Sequence, residues 1–354
     1  MPRDTRRTLQ DVADAAGLSL AATSYALRGT RGSAATIERV QALADQLGYR
    51  VDPIARALAS GRTGTVGISG SLRDLWQQDL SVQLTRALRT LDKDATIADA
   101  DADPRAERRV VERFAAQRVD GALVSPVDPS ADYWRLLAPS TAVVSLGDAL
   151  TGRPGSGAVL FDNRFGIASV LDHLYGLGHR RVALLTPSLP TTPGRPSELL
   201  AVELAAPLGV DLLVVPTPAS PAGAAEAAAG LLSGADRPTA VFCLSDSLAF
   251  GVYRAAADLG LRIPGDVSVV GFDDHQLAAL VAPALTTVSW DEDAIVAAAV
   301  RQLLALEGRG EDGPAPEPVV FRPHLVVRRS TAAPQPGTDH PARSRSTTAS
   351  TSRP

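Results

Sequence analysis

Four polar residues stand where β-rich runs end. Ser69 lies in "TVGISGS", Ser125 in "GALVSP", Asp246 in "TAVFCLSD" and Asp273 in "VSVVGFDD". In open α/β sheets ligands lie beyond the carboxyl ends of strands, where hydroxyls and carboxylates grip polar small molecules. Trp76 adds a flat apolar face, suited either to stacking on a sugar ring or to filling a core. Arginine supplies a second chemistry. Residues 1–62 hold nine Arg and six acidic residues, a balance of +3; against a total of −4, the remainder carries −7. A basic section joined to an acidic body suits contact with phosphates. An ordinary helical subdomain with solvated arginines has the same composition.

Catalytic patterns are missing. There is no G-x-x-x-x-G-K-[ST] and no H-E-x-x-H, and the Gly-rich spans lack the strand-turn-helix setting of a dinucleotide site. The lone Cys243, in "AVFCLSD", has no neighbouring base and reads as a buried structural thiol. Five histidines are scattered, with no evident metal partner for His173 or His275. The expectation is a non-enzyme without cofactor or metal.

These groups need elements to position them. With 354 residues, 45% hydrophobic and 21% charged, the chain reads as a soluble globular protein of two or three folding units. No signal-peptide-like run opens it, and no stretch approaches about 18 uninterrupted apolar residues, so a cytoplasmic location is expected. Near the start, Leu9, Val12, Ala13 and Ala16 share one helical face, Thr8 and Asp11 form a capping pattern, and Gly17 supplies a stop. Ser19 caps a second helix three or four residues later, the spacing of a helix-turn-helix. A third runs from Ser33 through Ile37, Val40, Ala44 and Leu47 to Gly48. Beyond it, Pro53 can open a short helix over Ile54-Ala55-Arg56-Ala57-Leu58-Ala59, ended by Gly61. About six residues are too few to hold a helix alone in water, so something must order them.

From Thr65 onward, β-rich runs alternate with helical stretches such as "PRAERRVVERFAAQR", twice over. Near-continuous apolar strands between helices indicate parallel sheets covered on both faces, here in two similar lobes with a cleft between them. Residues 331–354 contain no Leu, Ile, Val, Met or aromatic residue and read as a disordered tail.

"TLQDVADAAGLSLAATSYALRG" and "LGYRVDPIARALASGRTGTVGI" resemble the headpiece and hinge of the lactose-repressor (LacI/GalR) family of bacterial regulators. "GHRRVALL", "SDSLAFGVYRAAADLGLRIPGDVSVVGFDD", "PALTTVSWD" and "HLVVRRST" are similar to signatures of its body, so the resemblance runs from about residue 8 to about residue 330. It implies a three-helix helix-turn-helix headpiece (1–50), a hinge (51–63) and a two-lobed periplasmic-binding-protein-like effector domain (64–330). Lobe 1 would take about 64–161 plus 291–319, and lobe 2 about 162–290 plus 320–330.

The function implied is transcriptional regulation, usually repression. A homodimer would sit on near-palindromic double-stranded DNA, under control of a small effector such as a sugar. Leu20, Ala21 and Tyr25 would face base edges, and Thr8, Leu9, Ser19 and Ser24 would anchor near phosphates. In the hinge, with Ala55, Leu58 would wedge open the central base step. Asp273 and Arg195 would hold polar groups of the effector, with Ser245 a further candidate beside Ser69, Ser125 and Trp76. Asp162, at the first crossing between lobes, would steady that crossing. The chain departs from the family pattern at Ala22-Thr23-Ser24-Tyr25, where Thr-Val-Ser-Arg is usual, and at Arg28, where Asn is usual. The segments "SLRDLWQQDL" and "PTTPGRPSELLA" are also atypical, with Leu75 and Trp76 offered as a replacement wall. Two alternatives follow: a DNA-binding regulator of the same fold that no longer responds to a ligand, and a solute-binding protein with no role on DNA.

Overall fold

The computed structural model describes residues 7–50, 57, 61–188, 197–309 and 313–335. The chain divides into two compact units, residues 1–63 and 64–354. In the first, α1 (Leu9–Ala16) starts at a reciprocal cap: Thr8 Oγ1 accepts from Asp11 N, and the Asp11 carboxylate accepts from Thr8 N at 2.7 Å. It stops at Gly17, whose φ of +63° favours glycine. Helix α2 (Leu20–Leu27) is capped by Ser19, and α3 (Ala34–Leu47) runs between the Ser33 cap and left-handed Gly48. The three helices bury Val12, Ala16, Ala26, Val40 and Ala44 against one another, with half-buried Leu18, Leu27, Ile37 and Leu47 around them. Thr23 shares this inner face without stranding a polar group, because its hydroxyl donates to Ser19 O at 3.0 Å. Mostly small side chains permit close crossings but make a small core with little margin. Of the hinge, Ala57 is helical, and Gly61, at φ +68°, donates its N–H to Ala57 O at 2.8 Å. Ala55 and Leu58 lie outside the described residues.

The second unit holds two parallel sheets. The larger has six strands: β1 (Thr65–Gly70), β2 (Asp94–Asp99), β3 (Gly121–Val124), β4 (Ala142–Gly147), β5 (Gly157–Phe161) and β11 (Val319–Phe321), in the order β11-β5-β4-β3-β1-β2. The smaller has four: β6 (Arg181–Pro187), β7 (Asp211–Thr217), β8 (Ala240–Cys243) and β9 (Ser268–Val270), in the order β7-β6-β8-β9. Strands β10 (Thr287–Ser289) and β12 (His324–Val326) form an antiparallel pair. Intervening helices are α4 (Leu75–Arg89), α5 (Pro104–Gln117), α6 (Asn163–Gly176), α7 (Ser197–Leu208), α8 (Pro221–Leu232), α9 (Asp246–Asp258) and α10 (Glu292–Gly308). Central strands β3 and β8 are buried along their whole length, which is why they read as unbroken apolar runs.

The chain crosses between lobes three times. After the second crossing α10 packs back on the larger sheet, where Gln302 exchanges hydrogen bonds with Ala158 N and O at 2.7 and 3.0 Å. Asp162 links the first and third crossings: it caps α6, donates its N–H to Phe321 O, and receives Arg322 Nε at 3.2 Å. The larger sheet continues to Phe321 through its pairing with β5, beyond the boundary at 319 expected for lobe 1.

The expectation of disorder from residue 331 fails for the first five residues. Thr331 Oγ1 bonds His173 Nε2 at 3.0 Å, Ala332 N donates to Ser268 Oγ at 3.1 Å, and Gln335 Nε2 donates to Gly265 O at 2.9 Å. Composition registers apolar burial, whereas this segment is held by hydroxyl, amide and backbone bonds. Residues 336–354 lie outside the described part.

Candidate functional site

Two surfaces carry chemistry, one in each unit. On the first, Leu20, Ala21 and Tyr25 are exposed along α2, as expected of residues that meet a partner. Arg28 and Arg31 both stack on the Tyr25 ring, at 5.1 and 5.3 Å from its centroid. Arg28 is fixed further by donating Nε to Ser24 O and Nη2 to Ser24 Oγ, at 3.1 and 3.3 Å. The surface therefore presents two oriented guanidinium forks, able to grip guanine edges or phosphates, beside apolar Leu20 and Ala21, able to touch a thymine methyl. Thr8 and Ser19 are engaged as caps, and Leu9 is half-buried. Arg31 was not singled out from sequence; its signal was its place in the turn just after Arg28.

In the second unit a cavity of about 700 Å³ lies between the lobes, a size suited to a small metabolite. One wall is aromatic: Trp76, Phe161, Phe272 and Trp290, with ring centroids 5.5 Å apart for Trp76–Phe161 and 5.0 Å for Phe161–Trp290. Trp76 thus both fills core and faces the cavity.

The Asp273 loop is built around Asp246. Gly271 passes so close to Asp246 Oδ1 that a Cβ there would collide with it. The buried Asp246 carboxylate accepts from His275 N at 2.8 Å and from Thr287 Oγ1 at 2.7 Å. Asp274, at φ +52°, receives Arg328 at 2.6 Å. Pinned on both sides, Asp273 adopts φ +102° and reaches the cavity, where Oδ1 accepts from Trp290 Nε1 at 3.3 Å. Loss of solvent pushes its carboxyl well above the ordinary range, reinforced by the Asp74 and Asp246 charges. Burial likewise raises Asp74, and raises Asp246 to about 7 against the pull of its hydrogen bonds. Asp74 itself caps α4 by accepting from Gln77 N at 3.1 Å.

Of the residues expected to hold an effector, Asp273, Ser245, Ser125 and Trp76 line the cavity. Ser245 also caps α9 through Leu248 N. Ser69 does not line it: the residue is buried within β1, and Ser71, beyond the strand end, takes the cavity position. Leu75 is not in the lining either, and Arg195 lies outside the described residues. Sequence reasoning missed Asp74, Asp148, Ser247 and the aromatics other than Trp76. Asp148 follows the end of β4 and was within reach of the strand-end rule; Asp74 stands before α4 at a capping position. Behind the lining, Glu107 accepts from Val127 N at 2.7 Å, from Asp128 N at 2.9 Å and from Tyr133 Oη, so it holds the cavity wall at 126–128.

Cys243 is fully buried, and burial pushes its thiol well above the usual range, consistent with a packing role. Among the described residues no cluster of His, Cys, Asp or Glu is arranged to hold a metal ion, and no helix is long and apolar enough to cross a membrane.

Residues 171–331 match the periplasmic binding protein-like domain family. The chain is 35% identical over 341 residues to the HTH-type transcriptional regulator reg1 of Streptomyces lividans, covering 92% of this chain and 96% of that one. It is 36% identical over 338 residues to the HTH-type transcriptional regulator MalR of Streptomyces coelicolor, with the same coverage. Its fold is similar to that of the lac repressor dimer bound to operator and the anti-inducer ONPF, with a TM-score of 0.79 and 24% identity, over 93% of this chain and all of that one. Helical headpiece, paired parallel sheets and relatives matched nearly end to end agree: this chain belongs to the LacI/GalR family of HTH-type transcriptional regulators.

Proposed function

We propose that the chain acts as a homodimeric repressor in the cytoplasm, binds a near-palindromic operator, and changes operator affinity when a polar small molecule such as a sugar enters the cavity. It is not an enzyme. The observation that supports this most directly is the joining, in one chain, of a helical unit exposing Leu20, Tyr25 and two stacked arginines to a two-lobed unit with a polar and aromatic cavity. In this reading α2 enters the major groove, Arg28 and Arg31 read or grip it, and Thr8, Leu9, Ser19 and Ser24 sit near phosphates. The hinge orders on the duplex and Leu58 wedges the central step, with Ala55 packed beside it. Effector bridges the lobes through Asp273, Ser245 and Ser125 over the Trp76 wall, with Arg195 as a further contact. Closure then alters whether two hinges can pair. Such coupling is reciprocal and typically about 1–3 kcal/mol.

The test is a footprint of the full-length protein on DNA flanking its own gene, with and without a panel of sugars and other polar metabolites. Two protected half-sites, released or strengthened by one compound, are expected. Protection that no compound alters would favour the ligand-blind regulator. Ligand binding with no protection anywhere would favour the solute-binding alternative.

A further inference from the structure

The described lining of the cavity is mainly acidic. Among its described lining residues stand six carboxylates and one guanidinium, and that guanidinium, on Arg73, is already paired with Asp101. Most of the carboxylates have local tasks or neighbours; Asp103, for example, caps α5 by accepting from Arg105 N at 2.9 Å. Asp74 and Asp273 are also held locally, by Gln77 N and Trp290 Nε1, and are set apart by their positions. They approach the cavity from opposite lobes, one at the start of α4 and the other in the loop after β9. Neither forms an ion pair with a described Lys or Arg, and the Asp74 charge opposes ionisation of Asp273. Asp246 and Glu292 add to the same field. The His275 ring is turned to Asp79, with Nε2 at 3.4 Å from Oδ2.

A separate observation points to a missing partner. Ser247, only 5% exposed, is one of the lining residues, and its hydroxyl, itself buried, has no hydrogen-bond partner among the described residues. Native structures seldom leave such a group unsatisfied. The aromatic wall completes the picture, because ring faces attract cations as well as sugar faces.

We propose that the effector carries a protonated amine in addition to hydroxyl groups, as an amino sugar or similar aminated polyol does, with its ammonium between Asp74 and Asp273 and a hydroxyl on Ser247. This rests on the cavity being the effector site. An ammonium there replaces repulsion across the cleft by attraction to both lobes, so binding and lobe closure become one event. Anionic ligands, such as sugar phosphates, meet the same field with the wrong sign.

The test is calorimetry on the full-length protein at neutral pH with matched probes: glucosamine, galactosamine and mannosamine, each against its hydroxyl parent and its uncharged N-acetyl form. At least one amine is expected to bind roughly tenfold or more tightly than both controls. Asp74→Asn and Asp273→Asn should each erase most of that preference, while thermal unfolding confirms that the variants are folded. The proposal is overturned if a parent or N-acetyl sugar binds as tightly as its amine, if glucose 6-phosphate binds more tightly, or if none of the amines binds. The broader reading survives such an outcome, since a neutral sugar that shifted operator affinity would still be an effector.

Discussion

Replacing Asp246 by Asn perturbs the Asp273 loop from behind without altering the cavity lining. The parent carboxyl is buried and pushed up to about 7, whereas in the unfolded chain it titrates near 3.8. An acid with a raised folded pKa holds its proton more tightly when folded. Its contribution is therefore complete below about pH 4 and is lost as pH rises through about 7. Three pH units at about 1.4 kcal/mol each give roughly 4 kcal/mol. Asp246→Asn cannot ionise and escapes this loss. It offers one acceptor oxygen, however, where His275 N and Thr287 Oγ1 now use two. Leaving one donor unmatched costs about 1–3 kcal/mol. The variant should thus be less stable than the parent by about 1–3 kcal/mol at pH 4 and more stable by a similar amount at pH 8. Urea unfolding at pH 4, 6 and 8, followed by tryptophan fluorescence, measures this; Trp76, Trp134 and Trp290 all lie in the second unit. A difference that stays constant across that range would refute the assignment of Asp246 as a buried, proton-holding clamp.

Glu107→Leu should destabilise the second unit by about 3 kcal/mol or more, because three donors lose their acceptor; an unchanged urea midpoint would show that the 126–128 wall holds itself. Ser19→Ala removes the α2 cap and should cost the headpiece about 1 kcal/mol, read as earlier loss of helical signal on heating and weaker DNA binding at a fixed temperature. Leu58→Ala should leave folding intact and abolish specific operator affinity while weak, salt-sensitive binding persists. Gel-shift titration at two salt concentrations separates those outcomes.

Where local chemistry decides structure, the sequence was readable to the residue. Thr8 and Ser19 cap the helices expected of them, α3 starts beside Ser33 as expected, and Gly17 and Gly48 end α1 and α3, because caps and left-handed stops depend on neighbours a few positions away. The strands were legible for a similar reason, since burial on both faces leaves unbroken apolar runs. The cavity was only half legible. Strand-end position picks out Ser125 and Asp273 but also Ser69, which is buried within β1; the chain reaches the cavity only beyond the strand end, at Ser71. Asp74, Ser247 and Trp290 come together from positions 43 to 216 residues apart, a juxtaposition no local pattern encodes. The docked segment at 331–335 escaped because it is anchored by polar groups, whereas composition reveals only the lack of apolar ones.

The central claim is that the three-helix unit grips a DNA duplex. Incubating the purified full-length protein with fragmented DNA from its source genome at low ionic strength, and sequencing what it retains, tests this most directly. The account predicts a small set of enriched fragments that share an inverted repeat and dissociate steeply as salt rises. Failure to enrich any fragment, with and without added small molecules, would contradict it.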